Sequence, residues 1–156
     1  NGMGRAVIVD LEKALYGAPG IDLAHATIYS STTWDPDSSA VLSRDEIAGF
    51  YRHYLEIVAA DRGAERAAGL ASWLLPLRRL LFLRAVTWCA KWRVQQRRDR
   101  PAGGTEDWSA EKSDPALIAH VAGRVADYLS PGGLALMRAD WAPDSPLRRA
   151  LPDSLD

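Results

Sequence analysis

A mainly α-helical domain that opens on one short β element is the fold class this sequence predicts, and three observations predict it. Apolar residues recur at helical spacing in successive segments from residue 44 to residue 129. Helix start signals stand ahead of two of those segments, Ser43 with Glu46 and Asp114 with Pro115. The β signal is confined to the stretch before Leu11, where Asn1, Gly2 and Gly4 precede the branched run "AVIVD". At 156 residues, 47% hydrophobic and 25% charged, the chain suits one globular domain with a core of its own.

The first element is the strand around Val7 to Val9. Asn-Gly tolerates the positive φ of a hairpin turn, so the chain is expected to begin within a supersecondary unit. A corner follows, and "IDLAHATIYSST" reads as a helix with Asp22 near its start, where an acid complements the helix dipole. "TTWDPDSS" reads as a loop. The next helix has a complete start signal: Ser43 caps, Glu46 closes the capping box, and Leu42 and Ile47 stand at staple positions. Ile47, Phe50, Tyr51, Tyr54, Leu55 and Val58 give it an apolar face, and Gly63 ends it.

"AERAAGLASWLL" is a further helix, broken or kinked at Pro76. "LRRLLFLRAVTWCAKWRVQQRR" follows, apolar on most of its circumference at first, as a central bundle helix is. Asp114 caps a helix begun by Pro115, with Leu117, Ile118, Val121, Val125, Tyr128 and Leu129 on one face and "SPGG" as its stop. A short helix at 134–139 and a proline-punctuated tail complete the chain. The expected organisation is a single domain: strand and turn at 1–26, a helical subdomain at 27–98, a loop at 99–113, and terminal helices at 114–156.

Several function classes are excluded by bulk properties. A formal charge of -1 gives no field for nucleic acid. Arg78, Arg79, Arg84, Lys91 and Arg93 interrupt the most apolar stretch and argue against a membrane span. A single cysteine, Cys89, forms no internal disulfide, and no leader is evident, so a cytoplasmic location is expected.

The corner concentrates the chemistry. Asp10 ends the strand, Glu12 lies two residues on, and Asp22 opens the next apolar run. Hard cations bind one or two such carboxylates with phosphate oxygens and water; the alternative is a set of solvated acids at a strand-to-helix connection. The whole stretch "VIVDLEKALYGAPGIDLAHA" resembles the corresponding motif of the aminoglycoside phosphotransferase and choline kinase superfamily, small-molecule kinases of protein-kinase-like fold. Ile8, Val9, Asp10, Leu11, Glu12, Tyr16, Gly17, Pro19, Asp22, Leu23 and Ala24 stand in the motif's places, over about an eighth of the chain.

The resemblance implies the helical C-terminal lobe of such a kinase, with a β-hairpin remnant at its N-terminus. It implies ATP as co-substrate, Mg²⁺ on Asp10 and Glu12, and Asp22 bracing the loop that carries the catalytic base. The acceptor would be a hydroxyl of an aminoglycoside-, choline- or sugar-like compound. The family's Gly-rich loop, strand lysine and His-x-Asp-x-x-x-x-Asn loop have no counterpart here, and Gly17-Ala18-Pro19 replaces Gly-Asp-Pro. The chain is therefore expected to be inactive alone and to need an N-terminal lobe in the same or another chain.

Trp88 and Trp92 share a helix face, with Trp73 earlier, and such aromatics line acceptor pockets in choline-kinase-like enzymes. Tryptophans at helical spacing also fill cores, and at least two of the three are expected to do so. His25 follows Asp22 and is the histidine placed nearest the expected site; His53 and His120 read as polar helix residues and Cys89 as packing. The alternative function is a non-catalytic helical interaction module or kinase-like remnant, whose uncovered apolar face would self-associate.

Overall fold

The computed structural model describes residues 17–96 and 115–152, and every regular element among them is helical. The mainly-α expectation holds for these residues. The strand, Asp10, Glu12, the cap residue Asp114 and the 99–113 loop lie outside the described residues.

The expected single helix through "IDLAHATIYSST" is two, α1 (Pro19–His25) and α2 (Tyr29–Thr32). Between them Ile28 takes an extended conformation, ψ 141°, which lets Ile28 drop into the core at 1% exposure. The Thr27 hydroxyl donates to the Leu23 carbonyl at 2.8 Å and takes the place of a continuing helical bond. Pro36–Ser38 form a 3₁₀ turn inside the expected loop, capped by the Asp35 side chain.

Helix α3 (Arg44–Arg62) starts and stops where the sequence places it. Ser43 Oγ accepts from the Glu46 N–H at 3.2 Å, and a Glu46 carboxylate oxygen accepts from the Ser43 N–H at 2.7 Å. The Ser43 N–H and, second, the Ser43 hydroxyl, which also donates to that carboxylate oxygen at 2.7 Å, hold the Glu46 carboxyl below its ordinary range. Gly63 ends the helix at φ +90°, in the half of backbone space that side chains avoid.

Of the expected break or kink at Pro76, the break does not occur. Residues Ala64–Gln96 form one helix, α4, about 50 Å long. Proline in a helix interior removes one bond and crowds the preceding turn. Burial on both sides of it, at Leu74, Leu75, Arg78, Leu81 and Phe82, outweighs that local cost. Consequently α4 is the axis of the fold, and α1, α3 and α5 (Pro115–Tyr128) pack along it. Gly20 makes the α1 approach possible, since a Cβ there would stand 2.6 Å from Leu77 Cδ1 and 3.0 Å from Leu74 Cδ2.

The "SPGG" segment begins an element rather than only ending one. Ser130 caps α6 (Pro131–Arg138), its Oγ accepting from the Gly133 N–H at 2.9 Å, with Pro131 at the first turn. The helix expected at 134–139 thus starts earlier, and a 3₁₀ turn at Ala139–Trp141 continues it. The tail then folds as α7 (Pro146–Ala150), capped by Ser145.

Two apolar clusters result. One gathers Ile28, Leu81, Phe82, Cys89, Trp92, Val121, Val125, Tyr128 and Met137, and the other Leu23, Ile47, Tyr51, Leu74, Leu75, Leu147 and Leu151. Trp141 packs against both, its ring 5.1 Å edge-on from Phe82.

Candidate functional site

Where the clusters meet, a charge is buried. Arg78 has no solvent exposure; its Nε and Nη2 donate to Asp140 Oδ2 at 2.8 and 2.6 Å. Its Nη1 donates to Thr27 Oγ1 at 2.7 Å, and its guanidinium carbon lies 5.9 Å from the centre of the Tyr51 ring. The Tyr51 hydroxyl is buried beside Arg78 and Thr27 without a hydrogen bond of good geometry, and burial pushes it above its ordinary range. A cavity of about 500 Å³ opens next to this cluster, between α6 and the start of α3. Because the guanidinium is taken up by Thr27 and Asp140, the cluster ties α1, α4 and the tail together; it is a joint of the fold.

Two of the residues singled out from sequence meet elsewhere. His25 at the end of α1 and Trp88 on α4 line one groove of about 460 Å³ with Ser30, Ser31, Trp34 and Arg84. Leu81, Ala85, Cys89 and Tyr128 complete it. Helix α1 spans seven residues, about 10 Å, and His25 stands at its C-terminal end. A volume of this size suits a compound of drug or disaccharide dimensions.

Four contacts hold the groove's aromatic wall. Tyr29 donates to Asp127 Oδ2 at 2.9 Å, and burial, with Asp127 second, raises the phenol above its ordinary range. Thr33 Oγ1 donates to the Tyr29 carbonyl at 2.6 Å, so the Tyr128 hydroxyl is the donor in its 3.2 Å contact with Thr33. Arg124 Nη1 donates to the Thr33 carbonyl at 2.9 Å. Anchored in this way, Trp34 meets the Trp88 ring edge-on at 6.0 Å and the His120 ring at 5.4 Å.

Trp92 is 4% exposed and belongs to the core, and Trp88 is half-buried against the same cluster. Those two fill the core role expected of at least two tryptophans, while Trp73 is 59% exposed. Asp22 is exposed on α1, one turn before His25, and does not line the groove. His53 faces Glu56 on exposed surface, 3.6 Å away. Cys89 is 2% exposed and its thiol is pushed up to about 11 by burial, which fits the packing role read for it.

Trp34, Arg84 and Tyr128 join the groove without a sequence signal that assigned them there. Arg84 is exposed and has no ion-pair partner among the described residues. An exposed arginine repels a ligand cation about 6 Å away by about 0.7 kcal/mol at the dielectric of water. A half-exposed indole face returns about 0.5–1 kcal/mol to a cation, so the two offset and the groove gives a cation no net advantage. Among the described residues no group of three His, Cys, Asp or Glu side chains could hold a metal ion, and no helix is long and apolar enough to cross a membrane. Comparison with known proteins finds no matching family model, no matching curated sequence and no matching solved structure.

Proposed function

We propose that the chain is the C-terminal, acceptor-binding part of an ATP- and Mg²⁺-dependent small-molecule phosphotransferase. The observation that carries the reading is a juxtaposition. The stretch resembling the kinase metal motif runs directly into α1, and α1 ends at His25 on the rim of an aromatic groove. In that reading Asp10 and Glu12 hold the metal, and a pair of carboxylates completed by phosphate oxygens and water is a donor set that suits Mg²⁺. The bound ion would supply charge neutralisation at the transferring phosphoryl group.

The remaining roles belong to the chain's own residues. Trp34 and Trp88 would hold the flat part of the acceptor, and the hydroxyls of Ser30 and Ser31 would take hydrogen bonds from its polar edge. The Gly-rich loop, the lysine and the catalytic Asp are not among these 156 residues and would come from the N-terminal lobe.

The test is Asp10→Ala in the polypeptide or complex that carries both lobes. ATP-dependent phosphorylation of a hydroxyl acceptor should fall to background with the helical circular dichroism unchanged; most of the activity persisting overturns the metal assignment. A second reading, the interaction module, is favoured by Trp73, Leu80 and Leu83 on α4, each more than half exposed. Absence of any nucleotide-dependent transfer in the wild-type two-lobe protein selects it.

A further inference from the structure

The groove takes polar groups from α1, α2 and α4, and its charge is of one sign. Among the described residues its lining holds no carboxylate, while Arg84 on α4 and His25 on α1 belong to it. The two nearby acids are directed elsewhere. Asp127 accepts the Tyr29 hydroxyl and Asp22 lies one turn back from His25 on α1, and neither lines the groove. Ser30 and Ser31 add two hydroxyls, and Trp34 and Trp88 add ring surface.

We infer that this groove takes an alcohol with a flat ring or sugar face that carries a negative charge or none, and that it rejects polycationic amines. That this compound is a phosphate acceptor rests on the phosphotransferase reading; its charge class does not. Recognition of polycationic amines needs carboxylates that pair with each ammonium, and the described residues of the lining offer none. Quaternary ammonium recognition needs aromatic faces closing around the cation. Here Trp34 presents its ring edge-on to Trp88, at 74°, and a guanidinium stands beside them. An anionic substituent, in contrast, meets Arg84 as a hydrogen-bonding fork and loses little water to do so, since Arg84 is exposed.

The experiment is ligand-observed NMR titration of this chain, without nucleotide, against four probes: phenyl glucuronide, phenyl glucoside, choline and kanamycin. Phenyl glucuronide should bind at least about tenfold tighter than choline or kanamycin, with the glucoside between, and added salt should narrow the gap. Arg84→Glu, at an exposed position, should keep the helical circular dichroism and invert the ranking of anion and cation. Trp88→Ala should weaken both glycosides together. Tighter binding of either cation, a ranking unmoved by Arg84→Glu, or no binding of any glycoside overturns the inference. The two readings fail separately. Anion preference without phosphate transfer in the two-lobe protein leaves the charge assignment and removes the kinase; transfer to kanamycin through this groove does the reverse.

Discussion

At the scale of single residues the most consequential feature is one that local sequence does not announce. Arg78 lies in a run of apolar residues, and from sequence it reads only as one of the charges that argue against a membrane span. In the structure it is wholly buried, and Asp140, distant in sequence, receives it at 2.6 Å. Such a pair is invisible to periodicity, because its partner is supplied by tertiary folding. Breaking a buried pair by removing one member leaves an uncompensated charge and costs about 3–5 kcal/mol, whereas replacing both by apolar groups can be nearly neutral. Asp140→Ala should therefore lower the urea-unfolding free energy by about that amount, and Arg78→Met with Asp140→Leu should recover most of the loss. A loss below about 1 kcal/mol for Asp140→Ala would mean that water reaches the pair and screens it as at a surface. The same limit explains the groove. His25 and Trp88 were legible as candidates, but Trp34 sits in a stretch that reads only as loop, and Tyr128 reads as one more position on an apolar face.

At the scale of elements, legibility followed the strength of the end signals. Helix α3 carries its start in four consecutive residues and its stop in a glycine at φ +90°, and both boundaries match the reading from sequence. Helix α4 shows the opposite case, because Pro76 is a strong local signal that a longer-range one overrides. The proline cost is fixed and local, while the burial that opposes it is spread over many side chains on both sides. The capping box gives a testable pH effect. The Ser43 N–H and hydroxyl, both donating to the Glu46 carboxylate, favour its ionised form, so the folded carboxyl titrates lower than the unfolded one. Its contribution is present in full above the unfolded value and is lost as pH falls through the folded one. Ser43→Ala should cost about 1 kcal/mol near neutrality. Glu46→Gln should flatten part of the fall in stability on the acid side of the ordinary glutamate range. If urea midpoints of wild type and Glu46→Gln decline in parallel through that range, the Ser43 bonds do not perturb Glu46 in solution.

At the scale of the whole molecule, the question is whether two apolar clusters make one cooperative unit. Helix α4 contributes Leu74 and Leu75 to one cluster and Leu81, Phe82, Cys89 and Trp92 to the other. Arg78 lies between these sets on the helix, and Trp141 packs against both clusters. Helix α4 runs continuously from one cluster to the other, with Pro76 inside it. Opening one cluster would strip apolar cover from the shared helix and expose the Arg78–Asp140 joint, so both clusters should unfold together. Cys89 reports on this directly. At 2% exposure, and with its thiol pushed up to about 11, it should resist iodoacetamide in the native state at about pH 8, where only about a thousandth would be thiolate. In a urea series its labelling should rise at the same midpoint as the loss of helical circular dichroism. Tyr51, buried in the other cluster, should change its near-ultraviolet signal at that midpoint too. Labelling that precedes the loss of helix would show that the Cys89 cluster opens by itself. The aromatic groove, which rests on that cluster through Trp88 and Tyr128, would then be an adaptable surface rather than a preformed one.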